Sequence, residues 1–257
     1  MGGALLRGWL DSDIADRILV VEPDAAAACE FPTHKGLSFV HSVTGIDLDF
    51  RPNVVILAVK PQSMDAVLPQ LKRFAGPETV FLSIAAGRTI ASFERHLGPV
   101  PVLRSMPNTP ASIGRGITVG CPNHHVSQNQ IALCGRLLAA VGEVAWVDTE
   151  SLIDAVTAVS GSGPAYVFLL IECLAKAGAE AGLSEELSLR LARATVAGAG
   201  ELARRSPEPP AILRRNVTSP KGTTEAALNV LMGENGLDHL ITAAVAAAIA
   251  RAKELGS

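Results

Sequence analysis

The stretch NVTSPKGTTEAAL, Asn216 to Leu228, gathers hydroxyls, a lysine and a glycine immediately ahead of a helical pattern. Free amides at a helix N-terminus form an anion site, so a carboxylate is the ligand this stretch could take. Glu225 in the first helical turn partly opposes an anion while stabilising the helix dipole. Three other stretches each close an apolar or β-branched run: AVKPQ (Ala58 to Gln62), SIAAG (Ser83 to Gly87) and RSMPNTP (Arg104 to Pro110). In an open α/β sheet, ligands sit beyond the carboxyl ends of the strands, and three successive strand ends of small, polar or turn-forming residues suit such a crevice. Lys60 alone would be a surface lysine, and Asn108 is either a ligand contact or a turn former. SGSGPAYVF, Ser160 to Phe168, can be explained by helix capping alone, with Ser162 as cap and Pro164 in the first turn.

A fifth stretch, MGGALLRGWL, runs from Gly2 and Gly3 straight into a helical pattern. A dinucleotide-binding turn has the form G-x-G-x-x-G between a first strand and a helix, with an acidic residue about twenty positions on that takes a ribose hydroxyl. Arg17 to Val21 reads as the following strand, and Glu22 ends it at that offset. Glu22 is either this ribose ligand or a solvated strand-end charge. As a ribose ligand it would favour NAD over NADP by repelling a 2′-phosphate.

Other chemistries find little support. The six histidines (His34, His41, His96, His124, His125, His239) show no metal-ligand spacing, and no G-x-S-x-G elbow or Walker lysine is present, so no metal is expected. Cys29, Cys121, Cys134 and Cys173 lie far apart without a CxxC pair and read as small hydrophobes in a reducing compartment. Glu185, Glu186 and Glu208 read as solvated faces. A net charge of −3 and 4% aromatic residues argue against nucleic acid as a partner. The longest apolar runs, Ala165 to Leu170 and Ala243 to Ala250, are too short to span a bilayer, and no signal peptide is visible. The expectation is a cytoplasmic protein without membrane or nucleic-acid partners.

The elements that must position these residues fall into two rhythms. Residues 17–21, 53–59, 79–84, 101–104, 117–119 and 144–147 read as strands, and 64–74, 90–97 and 128–141 as helices between them. Continuous apolar runs alternating with helical patterns predict a Rossmann-like, doubly wound parallel sheet of α/β class over residues 1–149. Beyond that the strands stop. Residues 151–159, 164–182, 185–205, 208–215, 223–232 and 236–255 predict an all-helical segment over 150–257. Its central helices carry many alanines and glycines, which suit close helix packing either within one chain or across a subunit interface.

In this order and at these separations, AVKPQ, SMPNTP, SGSGPAYVF and TSPKGTTEAAL resemble the pyrroline-5-carboxylate reductase family over nearly the whole chain. The resemblance implies reduction of the C=N bond of 1-pyrroline-5-carboxylate to L-proline by NADPH or NADH, the last step of proline biosynthesis. It also implies a helical domain that forms a homodimer, with higher oligomers possible. Carried over by residue, it assigns cofactor contacts to Ala58, Val59, Lys60, Ala85, Ala86 and Asn216. Ser219, Gly222, Thr223 and Thr224 would hold the substrate carboxylate and ring nitrogen, with Thr224 hydrogen-bonding that nitrogen. Relatives start with a strand and a run resembling GxGNMGGAL, whose tail matches Met1 to Leu5. The expectation is that the first strand is absent because translation was assigned to an internal methionine, with the start on the order of ten residues upstream. Lys221 stands where the family usually has glycine, where it would either add charge near the carboxylate or point to solvent.

Two rivals remain at this stage. A β-hydroxyacid dehydrogenase also joins these two fold types but typically needs an interdomain lysine, for which Lys176 is the nearby candidate. The other is a catalytically impaired nucleotide-binding protein, suggested by the absent front strand.

Overall fold

The structure is a computed structural model, and it describes residues 1–256. In the first half, α1 (Gly2–Asp11), β1 (Ile18–Val21), α2 (Ala25–Cys29), β2 (Leu37–Val40), β3 (Val54–Leu57) and α3 (Met64–Leu71) follow one another. Then come β4 (Val80–Ser83), α4 (Ile90–Leu97), β5 (Val102–Met106), β6 (Gly116–Pro122), α5 (Gln128–Ala139) and β7 (Gly142–Trp146).

The strands form where β-branched and apolar residues run together, and period-two alternation then assigns each side chain to a face. Phe81 and Val102 face one core layer with Met64, Leu68 and Leu71 of α3 and Phe93 and Leu97 of α4. Their neighbours Val80, Leu82 and Leu103 face the other layer with Leu5, Leu6 and Trp9 of α1 and Cys134, Leu137 and Leu138 of α5. Burying each such aliphatic or aromatic side chain contributes about 1.5–3 kcal/mol, so the two layers hold this half together. Caps set the helix starts: Thr89 Oγ1 accepts from the Ser92 amide ahead of α4, and Ser127 with Gln130 forms a capping box on α5.

The strands lie in two sheets, β1-β2 and β3-β4-β5-β6-β7. The ladders are parallel except for β5 with β6. This is the expected Rossmann-like arrangement with one antiparallel step. The β5–β6 connection is short and holds only a 3₁₀ turn, Thr109–Ile113. A parallel pairing would need a longer crossover, usually a helix. Strands β4 and β5 pair on both sides and are almost wholly buried, whereas β1 and β3 each pair on one side among the described residues and remain half-buried. Arg104 of β5 is 5% exposed and is neutralised by Glu150 at 2.8 Å and Asp154 at 3.5 Å. Glu150 also accepts the Ile90 amide at 2.8 Å, so one carboxylate ties β5 to the start of α4.

The second half contains α6 (Leu152–Val156), a π-helical turn (Thr157–Gly161), α7 (Gly163–Glu180), α8 (Glu185–Arg205), α9 (Pro210–Asn216), α10 (Thr223–Leu231) and α11 (Leu237–Gly256). Ser162 makes no side-chain cap on α7, because the π turn carries the helical path on from α6 and leaves no fresh helix start to cap. By backbone contacts the chain divides into Met1–Gly161 together with the segment from Ile249 on, and Ser162–Ala248. Within the second unit α7 packs on α8, where Gly178 makes room for Ser188.

No side chain of α7 is buried; Phe168 and Leu169 are each 57% exposed, and Leu170 and Leu174 are exposed beside them. The continuous helical path Leu152–Glu180 is long and apolar enough to cross a bilayer by length and composition, although its uninterrupted apolar runs are short. An apolar surface of this extent marks an interaction face.

Candidate active site

Helix α1 starts at Gly2 without a side-chain cap and with no acidic residue in its first turn. The Ala4 and Leu5 amides both donate to Met1 O, which leaves those of Gly2 and Gly3 without a backbone partner among the described residues. A side chain on Gly2 would bring a Cβ to 3.0 Å from Ala58 Cβ, so the uncapped helix end lies directly against the AVKPQ strand end. Ala58 and Lys60 are exposed there and Val59 is half-buried. Free amides, no competing carboxylate and an adjacent exposed strand end suit the diphosphate of a dinucleotide.

Glu22 follows β1, and its carboxylate accepts the Asp24 amide at 3.0 Å. At the end of β4, Ser83 is buried and its Oγ accepts the Ala85 amide at 3.2 Å, so Ala85 is held inward while Ala86 faces solvent. Asn108 Oδ1 accepts the Ile117 amide at 2.9 Å, which fastens the SMPNTP turn to β6 and leaves the Asn108 amide nitrogen for other partners.

One neighbour of these loops was passed over in the sequence. Arg88 directly follows SIAAG, and its guanidinium donates from Nε and Nη2 to Pro61 O at 3.1 and 2.7 Å. It also forms a two-pronged pair with Asp65 at 3.0 and 2.8 Å. This hydrogen bond is the main reason the Asp65 carboxyl is held below its ordinary range, with His96 adding to it at 3.2 Å. Partners 23 positions apart on different elements leave no spacing signal.

In the helical unit the loop before α10 is drawn tight. The Gly222 amide donates to Ser219 O at 3.0 Å, and a Cβ on Gly222 would overlap Ser219 Oγ and lie 3.0 Å from Ser219 O. Gly222 is the N-cap of α10 and supplies no side-chain cap. The Ala226 amide returns to Gly222 O, while those of Thr223, Thr224 and Glu225 have no backbone acceptor among the described residues. Glu225 Oε2 accepts the Lys221 amide at 2.7 Å. Lys221 holds φ at 58°, a left-handed conformation that favours glycine. Asn216, at the end of α9, donates from Nδ2 to Glu208 at 3.2 Å. Lys176, the candidate of the hydroxyacid reading, sits exposed on α7 and pairs with Glu180 at 3.9 Å.

The structure thus brings Gly2 against Ala58 in one unit, and Ser219, Gly222 and the first turn of α10 together in the other. No group of three or more potential metal ligands occurs among the described residues.

Comparison with known proteins agrees with both halves. Residues 150–255 match the family model for pyrroline-5-carboxylate reductase dimerisation, and residues 1–87 match the model described as NADP oxidoreductase, coenzyme F420-dependent. The pyrroline-5-carboxylate reductase of Pseudomonas aeruginosa is 50% identical over 204 residues, which is 79% of this chain and 74% of that one. The structure of a pyrroline-5-carboxylate reductase from Coxiella burnetii superposes with a TM-score of 0.92 at 35% identity, covering 100% of this chain and 95% of the other. That of the Plasmodium falciparum pyrroline carboxylate reductase, with NADP bound, superposes at 0.81 with 30% identity over 100% and 95% of the two chains. Glycine-led α1, the strand-end loops and the hydroxyl-rich approach to α10 are therefore read in the context these matches supply: the chain belongs to the pyrroline-5-carboxylate reductase family.

Proposed function

We propose that this protein reduces 1-pyrroline-5-carboxylate to L-proline, with residues 1–149 holding the dinucleotide and 150–257 holding the substrate and forming a homodimer. The observation that carries this reading is the uncapped start of α10, entered through a tight loop in which a Cβ at position 222 would overlap the Ser219 hydroxyl. There the amides of Thr223 and Thr224, with the hydroxyl of Ser219, take the substrate carboxylate. Thr224 orients the ring nitrogen through its hydroxyl. A protonated cyclic imine is already electrophilic at carbon, so these residues have mainly to align it and need no strong acid or base.

On the other unit, the Gly2 and Gly3 amides receive the diphosphate, and Ala58, Val59, Lys60, Ala85, Ala86 and Asn108 line the cofactor crevice. Glu22 faces the adenosine ribose, and the family resemblance adds Asn216 as a cofactor contact. NADPH or NADH, when bound, supplies the hydride. The exposed apolar face of α7 is the dimer contact, dimers assemble further, and the enzyme works in the cytoplasm apart from membranes and nucleic acid.

The test is spectrophotometric. The protein should consume NADPH or NADH when given 1-pyrroline-5-carboxylate, and L-proline should appear in equal amount. Consumption with an oxoacid instead would favour the hydroxyacid dehydrogenase reading. Binding of the dinucleotide with no turnover on any of these substrates would favour a catalytically impaired protein.

A further inference from the structure

Arg88 stands between two of the loops assigned to the cofactor. It lies one residue beyond Gly87, whose φ of 69° turns the chain after β4. From there its side chain reaches across to the loop after β3, where two of its nitrogens share the Pro61 carbonyl. That carbonyl also accepts the Met64 amide, and the Ser63 amide donates to Lys60 O at 2.9 Å, so Pro61 belongs to a closed turn directly after Ala58–Lys60. The remaining prongs of the guanidinium fork hold Asp65 at the start of α3. Only 19% of the Arg88 side chain is exposed, against 58% for Asp65, so the arginine is a packed brace and not a solvated charge. A planar, five-donor group can satisfy a carbonyl and a carboxylate together; a lysine ammonium cannot reproduce that fork.

From this bridge we infer that Arg88 is a positioning residue, setting the separation of the Ala58–Lys60 and Ala85–Ala86 loops and with it the width of the dinucleotide crevice. The inference rests on the cofactor reading proposed above. Arg88 does not touch the reacting atoms; it acts through the backbone of Pro61.

Three variants of the full chain, Arg88→Met, Arg88→Lys and Asp65→Asn, test it by calorimetric titration with NADPH and NADH and by amide hydrogen exchange without ligand. Arg88→Met should raise the dinucleotide Kd at least about fivefold, while the KM for 1-pyrroline-5-carboxylate at saturating cofactor stays within about twofold. Its Ser63 and Met64 amides should exchange faster than in the parent. Arg88→Lys should behave like Arg88→Met, because charge without the fork does not hold Pro61. Asp65→Asn keeps the donors on Pro61 and should leave the Kd within about twofold of the parent. Arg88→Met with the parent Kd and parent exchange at Ser63 and Met64 would overturn the inference alone. So would equal losses in Arg88→Met and Asp65→Asn, which mark a general fold contact. A parent protein that binds neither dinucleotide would overturn the cofactor reading and this inference with it.

Discussion

Replacing Gly222 with alanine should separate the geometry of the substrate loop from its stability. The backbone of Gly222, at φ −86° and ψ 174°, is open to any L-residue, so the substitution introduces no dihedral strain. What it introduces is a methyl group that overlaps Ser219 Oγ and meets Ser219 O at 3.0 Å. Rotating the Ser219 hydroxyl away relieves the closer overlap, and the Ser219 carbonyl then has only to yield by roughly a few tenths of an ångström. That rotation withdraws a proposed carboxylate ligand, so kcat/KM should fall about tenfold, or about 1.4 kcal/mol of transition-state stabilisation. The loop is exposed, so the melting temperature should fall by no more than about 2 °C, matching a surface change within about 0.5 kcal/mol. The assay is initial-rate NADPH oxidation with 1-pyrroline-5-carboxylate, paired with thermal melting. Adding Ser219→Ala removes the worst overlap and should restore melting without restoring rate, since the hydroxyl is itself a proposed ligand. Gly222→Ala that keeps more than about half the parental kcat/KM would refute the claim that this turn holds substrate.

Other outcomes follow from the same structure. Thr224→Ala should lower kcat/KM at least about tenfold, worth about 1.4 kcal/mol, and unchanged kinetics would remove Thr224 from the mechanism. Lys221→Gly relieves a left-handed strain of about 1–2 kcal/mol but adds about 0.4–1 kcal/mol of unfolded-chain entropy. Calorimetry should therefore show a small net stabilisation, and any rise in substrate KM from the lost charge should shrink with added salt. Glu201 is held at about 2, from an ordinary 4.5, by hydrogen bonds from Arg204 and then Arg205. A depressed carboxylate stabilises the fold above its unfolded value and loses that effect as pH falls through its folded value. The melting difference between parent and Glu201→Gln should thus be constant above pH 4.5 and vanish toward pH 2.

Where local signals agree, the fold could be read from the sequence. Helix α4 begins and ends as expected at residues 90 and 97, since Thr89 caps it, Gly98 stops it and Phe93 and Leu97 mark its buried face. Strand β2 was missed because Leu37–Val40 is only four residues long and sits among glycine, lysine and histidines. Helix α2, with the sequence AAAAC, has no polar–apolar period to announce it. The reversal of β6 was hidden for another reason, since an apolar run carries no sign of strand direction. Among the site residues, the loop before α10 was legible through its composition. The hydrogen bond that Glu225 accepts from the Lys221 amide depends on a side-chain rotamer that spacing cannot reveal. Arg88 escaped notice for the same reason.

The four thiols divide into two kinds. Burial pushes Cys134 up to about 12 and raises Cys121 as well, while Cys29 and Cys173 are exposed, one in each unit. An alkylating reagent should therefore modify two sites and spare two. Cys173 sits on α7 among Leu169, Leu170 and Leu174, so its accessibility should fall as protomers associate, while Cys29 stays open as an internal reference. The protein carries its own gauge of association, readable by mass spectrometry over a dilution series without an added probe.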